Sequence, residues 1–289
     1  MKTINTYIIE KLKVSKIKGV YHPKSKEELI DLIIKEIEVN GPNCSLNHID
    51  VSRVDDMSYL FLGGTEEYWK DHPVLSTFDG DISDWNTSNV ENMDHMFYRC
   101  QYSGKNGDIS NWDVSHVTNM RGMFGESNFN GDISNWDVSN VENTVGMFMF
   151  SKFNGDISKW DISNVTNMAY MFANCPKFEG KVLENWNVSK VKDMQYMFYN
   201  CKEFDCNLSK WNVHNVEDMS CMFCNCIKFE GKGIENWDVS NVENMCSTFL
   251  DCINLNCNLN KWNVSNITKM RNIFDGCTSL INKPTWYKK

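Results

Sequence analysis

Several things are scarce in this 289-residue chain, and each scarcity excludes a class. No run approaches the length of apolar residues, about eighteen, that a membrane-spanning helix needs. Positive charge is in deficit, with 29 Lys and Arg against 38 Asp and Glu, a net charge of −9 and a pI near 5.2. Nucleic acid is therefore excluded as the expected partner, because phosphate recognition needs clustered Lys and Arg. The first residues, Met1 to Leu12, hold no apolar stretch of useful length and no small-residue cleavage site, which argues against a signal peptide. A cytoplasmic location is the simpler expectation, with the cell surface as the alternative.

Catalytic signatures are also missing. The histidines (His22, His48, His72, His95, His116, His214) share no repeat position, and no triad, phosphate loop or H-E-x-x-H is present. The sequence therefore points to no enzyme and no cofactor.

What the chain does contain is a repeat. Trp85, Trp112, Trp136, Trp160, Trp186, Trp211, Trp237 and Trp262 follow one another at intervals of 24–27 residues, the signature of a solenoid. In the copy Ile157 to Phe172, Ile157, Trp160, Ile162 and Val165 follow the L-x-x-L-x-L spacing. The alternation across Trp160-Asp161-Ile162 predicts a short strand with Trp160 inward and Asp161 outward. Val165, Met168, Met171 and Phe172 fall on one helical stripe. Ser88/Glu91, Ser139/Glu142 and Ser240/Glu243 have the spacing of a capping box, with Ser163/Thr166 in the same place. Each copy is thus expected to run strand, cap, short helix and return.

The pattern W-[DN]-V-S-x-V-x-[DN]-M-x-x-M-F, over residues 45–286, resembles the BspA-like leucine-rich repeats of bacterial and mycoplasma surface proteins. The resemblance implies a leucine-rich-repeat-like solenoid with an adhesion or protein-interaction role and no catalytic residues. An α/β solenoid of about nine coils is the expected fold, with a right-handed β-helix as the alternative.

Residues 1–44 stand outside the repeat and read as a helical N-terminal cap. A short helix is expected over Thr6 to Val14. A second begins at the N-cap Ser25 with Glu28 as box partner, carries Leu29, Leu32, Ile33 and Ile37 on one stripe, and stops at Asn40-Gly41-Pro42. The repeat region then spans 45–289 and is interrupted by an insertion at 62–77. Insertions in solenoids map to loops, often on a functional face, so Tyr68, Trp69 and His72 are candidate partner contacts.

Six of the twelve cysteines, Cys100, Cys175, Cys201, Cys226, Cys252 and Cys277, lie three residues after the Phe of the repeat, and Ser127 and Ser151 fill the same place elsewhere. That column reads as buried thiols. The denser group Cys221, Cys224, Cys226, Cys246 and Cys252 could suggest zinc, but its C-x-x-C-x-C run lacks a second paired knuckle, and reduced structural thiols are the favoured reading.

The position after Trp gives the remaining candidates. Asp113, Asp137 and Asp161 should stand as consecutive like charges about 4.8 Å apart, which is unfavourable unless offset. The expected function is a non-catalytic recognition module that presents this face and the 62–77 loop to a protein partner, possibly basic. A surface adhesin for host protein or glycan is the alternative.

Overall fold

The computed structural model describes residues 20–63 and 73–288. The helix expected over Thr6 to Val14 and the candidates Tyr68, Trp69 and His72 lie outside the described residues. Among the described residues the one α-helix is α1, Lys26–Asn40. Ser25 accepts the amide of Glu28, Glu28 accepts the amide of Lys24, and Gly41, with φ of 85°, ends the helix by donating to Ile37. Leu29, Ile30, Ile33 and Ile37 are buried in the core that runs through the repeats. Ahead of α1, Tyr21 pairs with Ile49 as a parallel bridge.

From Cys44 onward the chain winds as a solenoid, but its coils are neither strand nor helix. Parallel bridges link Asp56, Asn92, Asn119, Asn143, Asn167, Asp193, Asp218, Asn244 and Lys269 in succession. These residues lie seven positions after each Trp in the regular copies, so the inter-coil pairing is displaced from the expected Trp160-Asp161-Ile162 strand. They remain isolated bridges, and no sheet forms among the described residues.

The expected helix is replaced by consecutive turns. In the 168–175 segment, the amides of Met171, Ala173 and Cys175 close turns onto Met168, Tyr170 and Phe172. The amides between them, those of Met168, Tyr170, Phe172 and Asn174, donate instead to Asp193, Gln195, Met197 and Tyr199 of the next coil at 2.7–3.0 Å. A helix would satisfy its amides within itself; here alternate amides join the coils. The price is two left-handed residues per coil, Tyr170 (φ 60°) and Asn174 (φ 59°) in this one. The supposed caps have a different function. The Ser163 amide donates to Asp161 Oδ1 at 3.0 Å, an Asx-turn, and the Thr166 amide donates to Glu142.

The apolar stripe survives because a turn returns its ends to one face at nearly helical spacing. Val165, Met168, Met171 and Phe172 are all fully buried. Inside, Phe61, Phe97, Phe124, Phe148, Phe172, Phe198, Phe223, Phe249 and Phe274 form an unbroken column with ring centroids 5.3–6.0 Å apart. The described tryptophans make a second column in which each indole N–H donates to a carbonyl one coil back, as Trp136 does to Ile109 at 3.0 Å. These side chains are packing, and the interior is filled.

Candidate binding surfaces

With the interior occupied, any site lies on the outside of the coils. Asp113, Asp137 and Asp161 are exposed, as expected of their position, but on turns rather than strands. Each Oδ1 accepts the amide of the serine two residues on, at 3.1, 3.1 and 3.0 Å. That bond explains why Asn replaces Asp at this place in other copies, since either side chain builds the turn. The carboxyls of Asp113 and Asp161 are held below the usual range, first by the serine hydroxyls of Ser115 and Ser163 and then by their amides.

The structure adds a second acidic column. Asp108, Asp132 and Asp156 sit on the same coils and accept the amides of Ser110, Ser134 and Ser158, each at 2.9 Å. Sequence reasoning passed over them, although the recurrent Gly-Asp-Ile-Ser was the signal. None of these six aspartates forms a salt bridge among the described residues. Farther along, the carboxylate equivalent to Asp113 is paired: Asp238 with His214.

A second surface feature, half-buried, lies ten residues after each repeat Trp, where the backbone is left-handed. Tyr59 and His95 stack there at 5.4 Å, and Tyr170 stacks on Tyr196 at 4.8 Å. Between the two pairs the column holds only Gly122 and Gly146. A hollow of about 370 Å³ opens at this gap, lined by His95, Arg121, Gly146, Met149 and Tyr170 among others. Asp94 fixes the lower pair, taking His95 Nδ1 at 2.5 Å and the Tyr59 hydroxyl at 2.8 Å. Burial opposes the charge of Asp94, but those hydrogen bonds and the nearby His95 and Arg121 outweigh it and keep the carboxyl below its ordinary value.

The cysteine column is buried as read. Cys201 and Cys226 donate to the carbonyls of Phe172 and Phe198 one coil back, at 3.0 Å each. Burial drives both thiols well above their usual pKa. Among the described residues no group of three or more His, Cys, Asp or Glu is arranged to hold a metal ion. No described helix is long and apolar enough to cross a membrane.

The fold and its exterior sites define a repeat solenoid. Residues 37–105, 101–211 and 200–287 match the family described as "Mycoplasma protein of unknown function, DUF285", and the chain belongs to that family. No curated protein matches the sequence. Among solved structures, a leucine-rich repeat protein from Eubacterium ventriosum ATCC 27560 is similar over 78% of this chain and 90% of its own. The identity is 14% and the TM-score 0.28, too remote to bear on the fold derived from the coils.

Proposed function

We propose that this chain is a non-catalytic recognition module that binds a basic protein partner through its exterior. The observation that carries the reading is the set of six aspartates on three successive coils: Asp108, Asp113, Asp132, Asp137, Asp156 and Asp161. They are held in register by Asx-turns and lack salt-bridge partners among the described residues. Unpaired like charges at coil spacing repel one another, and a Lys/Arg-rich segment laid along the coils would relieve that repulsion. The repeat consensus, with its resemblance to BspA-like repeats, supports an interaction role. The filled interior supports placing it on the surface. Tyr68, Trp69 and His72 of the 62–77 insertion belong to the same proposal as further candidate partner contacts.

The test is a titration of a fluorescent Lys/Arg-rich peptide, followed by anisotropy at two salt concentrations. Wild type should bind more tightly at low salt, and changing Asp113, Asp137 and Asp161 together to Asn should weaken binding without loss of fold. Equal binding by the variant would remove the acidic face from the reading. Deletion of residues 64–72 in a parallel sample measures the contribution of the insertion.

A further inference from the structure

The column of left-handed residues is aromatic above and below and empty between. Its lower plate is His95, stacked on Tyr59 with ring planes 6° apart, and its upper plate is Tyr170, stacked on Tyr196 at the same angle. The two glycines between them are not alike. A Cβ at Gly122 would come within 2.6 Å of the His95 ring, so that ring leans across Gly122. A Cβ at Gly146 would meet only the Cβ of Met149, at 3.8 Å, so the place above Gly146 is open.

The dimensions suit one planar guest. His95 and Tyr170 are three coils apart, about 14 Å at about 4.8 Å per coil, and the lean of His95 shortens the gap. A ring stacked between two others, with centroids about 4.5–7 Å from each, needs about 9–14 Å. The 370 Å³ hollow lies within the size range of small-molecule sites, about 300–1,000 Å³. Its floor is preorganised, because Asp94 holds both Tyr59 and His95 in place. At its rim Arg121 is exposed and makes no salt bridge among the described residues. A guanidinium placed there favours an anionic substituent on the guest.

We propose that the gap at Gly146 is a binding site for a small planar aromatic anion, its ring seated between His95 and Tyr170 and its charge on Arg121. This site is separate from the acidic face and stands or falls independently of it.

The experiment titrates the full chain, with 13C-methyl methionine, with indole-3-acetate as the probe and reads the Met149 methyl resonance. The expected result is a saturable upfield ring-current shift. Cyclohexylacetate, equal in charge but unable to stack, should produce none. Arg121→Gln should weaken indole-3-acetate about tenfold, the scale of one charge-assisted hydrogen bond. Gly146→Tyr should abolish binding by completing the column, and tyrosine already holds this backbone conformation at Tyr170 and Tyr196. If that variant fails to fold, Tyr170→Leu, which removes the upper plate, takes its place and should also abolish the shift. No saturable shift in wild type, an equal response to cyclohexylacetate, or full binding by a folded Gly146→Tyr protein would each overturn the proposal.

Discussion

The indole Nε1 of Trp160 donates to the carbonyl oxygen of Ile133, in the preceding coil, at 3.0 Å. The side chain is 5% exposed, so it fills the interior and also satisfies a backbone acceptor that no water reaches. Trp160→Ala should therefore destabilise the protein by about 3–5 kcal/mol in urea unfolding. Trp160→Phe keeps most of the volume and leaves Ile133 the amide of Trp136, at 3.2 Å, as its remaining donor, so it should cost about 0.5–1.5 kcal/mol. A near-neutral alanine variant would contradict the packing role.

Phe150 occupies a left-handed position (φ 57°) with its side chain 54% exposed, and the next coils place Asn174, Asn200 and Asn225 there. Asparagine tolerates this conformation better than a bulky aromatic. Phe150→Asn is expected to raise stability by about 0.5–1 kcal/mol, the usual yield of a locally compatible substitution. Phe150→Val, β-branched at the same φ, should lower it. Thermal unfolding of both variants checks the pair, and a lower midpoint for the asparagine variant would refute the account.

Asparagine at positions 113, 137 and 161 preserves the Asx-turn and removes three like charges. The triple variant is expected to fold but to be no more stable than wild type at neutral pH. The native carboxyls of Asp113 and Asp161 lie below their unfolded value of about 3.9. Their contribution is therefore present above that pH and lost as pH falls through the lower folded value. The variant lacks this component, so its stability should fall less on acidification below about pH 4. Circular-dichroism melts between neutral and acid pH would show it, and identical acid sensitivity would assign the slope to other groups.

Cys100, Cys175, Cys201, Cys206, Cys224, Cys226, Cys252 and Cys277 are buried, whereas Cys44, Cys221, Cys246 and Cys257 are half-buried. Burial pushes the Cys44 thiol up to about 11 and that of Cys257 to about 12, so partial exposure does not make either reactive. Burial pushes the Cys221 thiol up as well, so iodoacetamide at mildly alkaline pH should first label the half-buried Cys246, with the buried column modified only on unfolding. Peptide mass mapping gives the order. Cys201→Ser should be tolerated, because Ser127 and Ser151 already occupy that column and a hydroxyl can donate to Phe172 as the thiol does.

Much of this fold was legible in the repeat spacing, and the failures share one cause. Trp160, Val165, Met168, Met171 and Phe172 were correctly placed inside, because burial depends on periodicity alone. The same residues were assigned to a helix because two consecutive turns return side chains to one face at almost helical spacing. The distinguishing sign was at Tyr170 and Asn174, whose left-handed backbone no propensity scale predicts for tyrosine. The Ser–Glu spacing misled for a related reason, since a serine after Asp or Asn completes an Asx-turn as readily as it caps a helix. α1 was legible to its ends, because its cap, stripe and stop are local signals. The aromatic gap was present in the sequence as Gly122 and Gly146, each ten residues after a Trp. It gained meaning only when the stacking partners His95 and Tyr170 were seen across it.

Most of the amides that join the coils point toward the C-terminal end, as those of Met120, Gly122, Phe124 and Glu126 do in reaching Asn143, Val145, Met147 and Met149, and they outnumber those that point back, such as Thr118 to Glu91. Each such peptide carries a dipole of about 3.5 D, and here the positive end is C-terminal, the reverse of an α-helix. Side chains follow a different pattern: from position 260 to 288 there are Lys261, Lys269, Arg271, Lys283 and Lys288 against Asp275 alone, and from 1 to 20 there are Lys2, Lys11, Lys13, Lys16 and Lys18 against Glu10 alone. The negative charge of this chain, −9 in net, therefore lies between two basic terminal stretches of the sequence, in the coils that also carry the acidic columns. A cationic molecule approaching in solution is thereby drawn toward those coils before any contact forms.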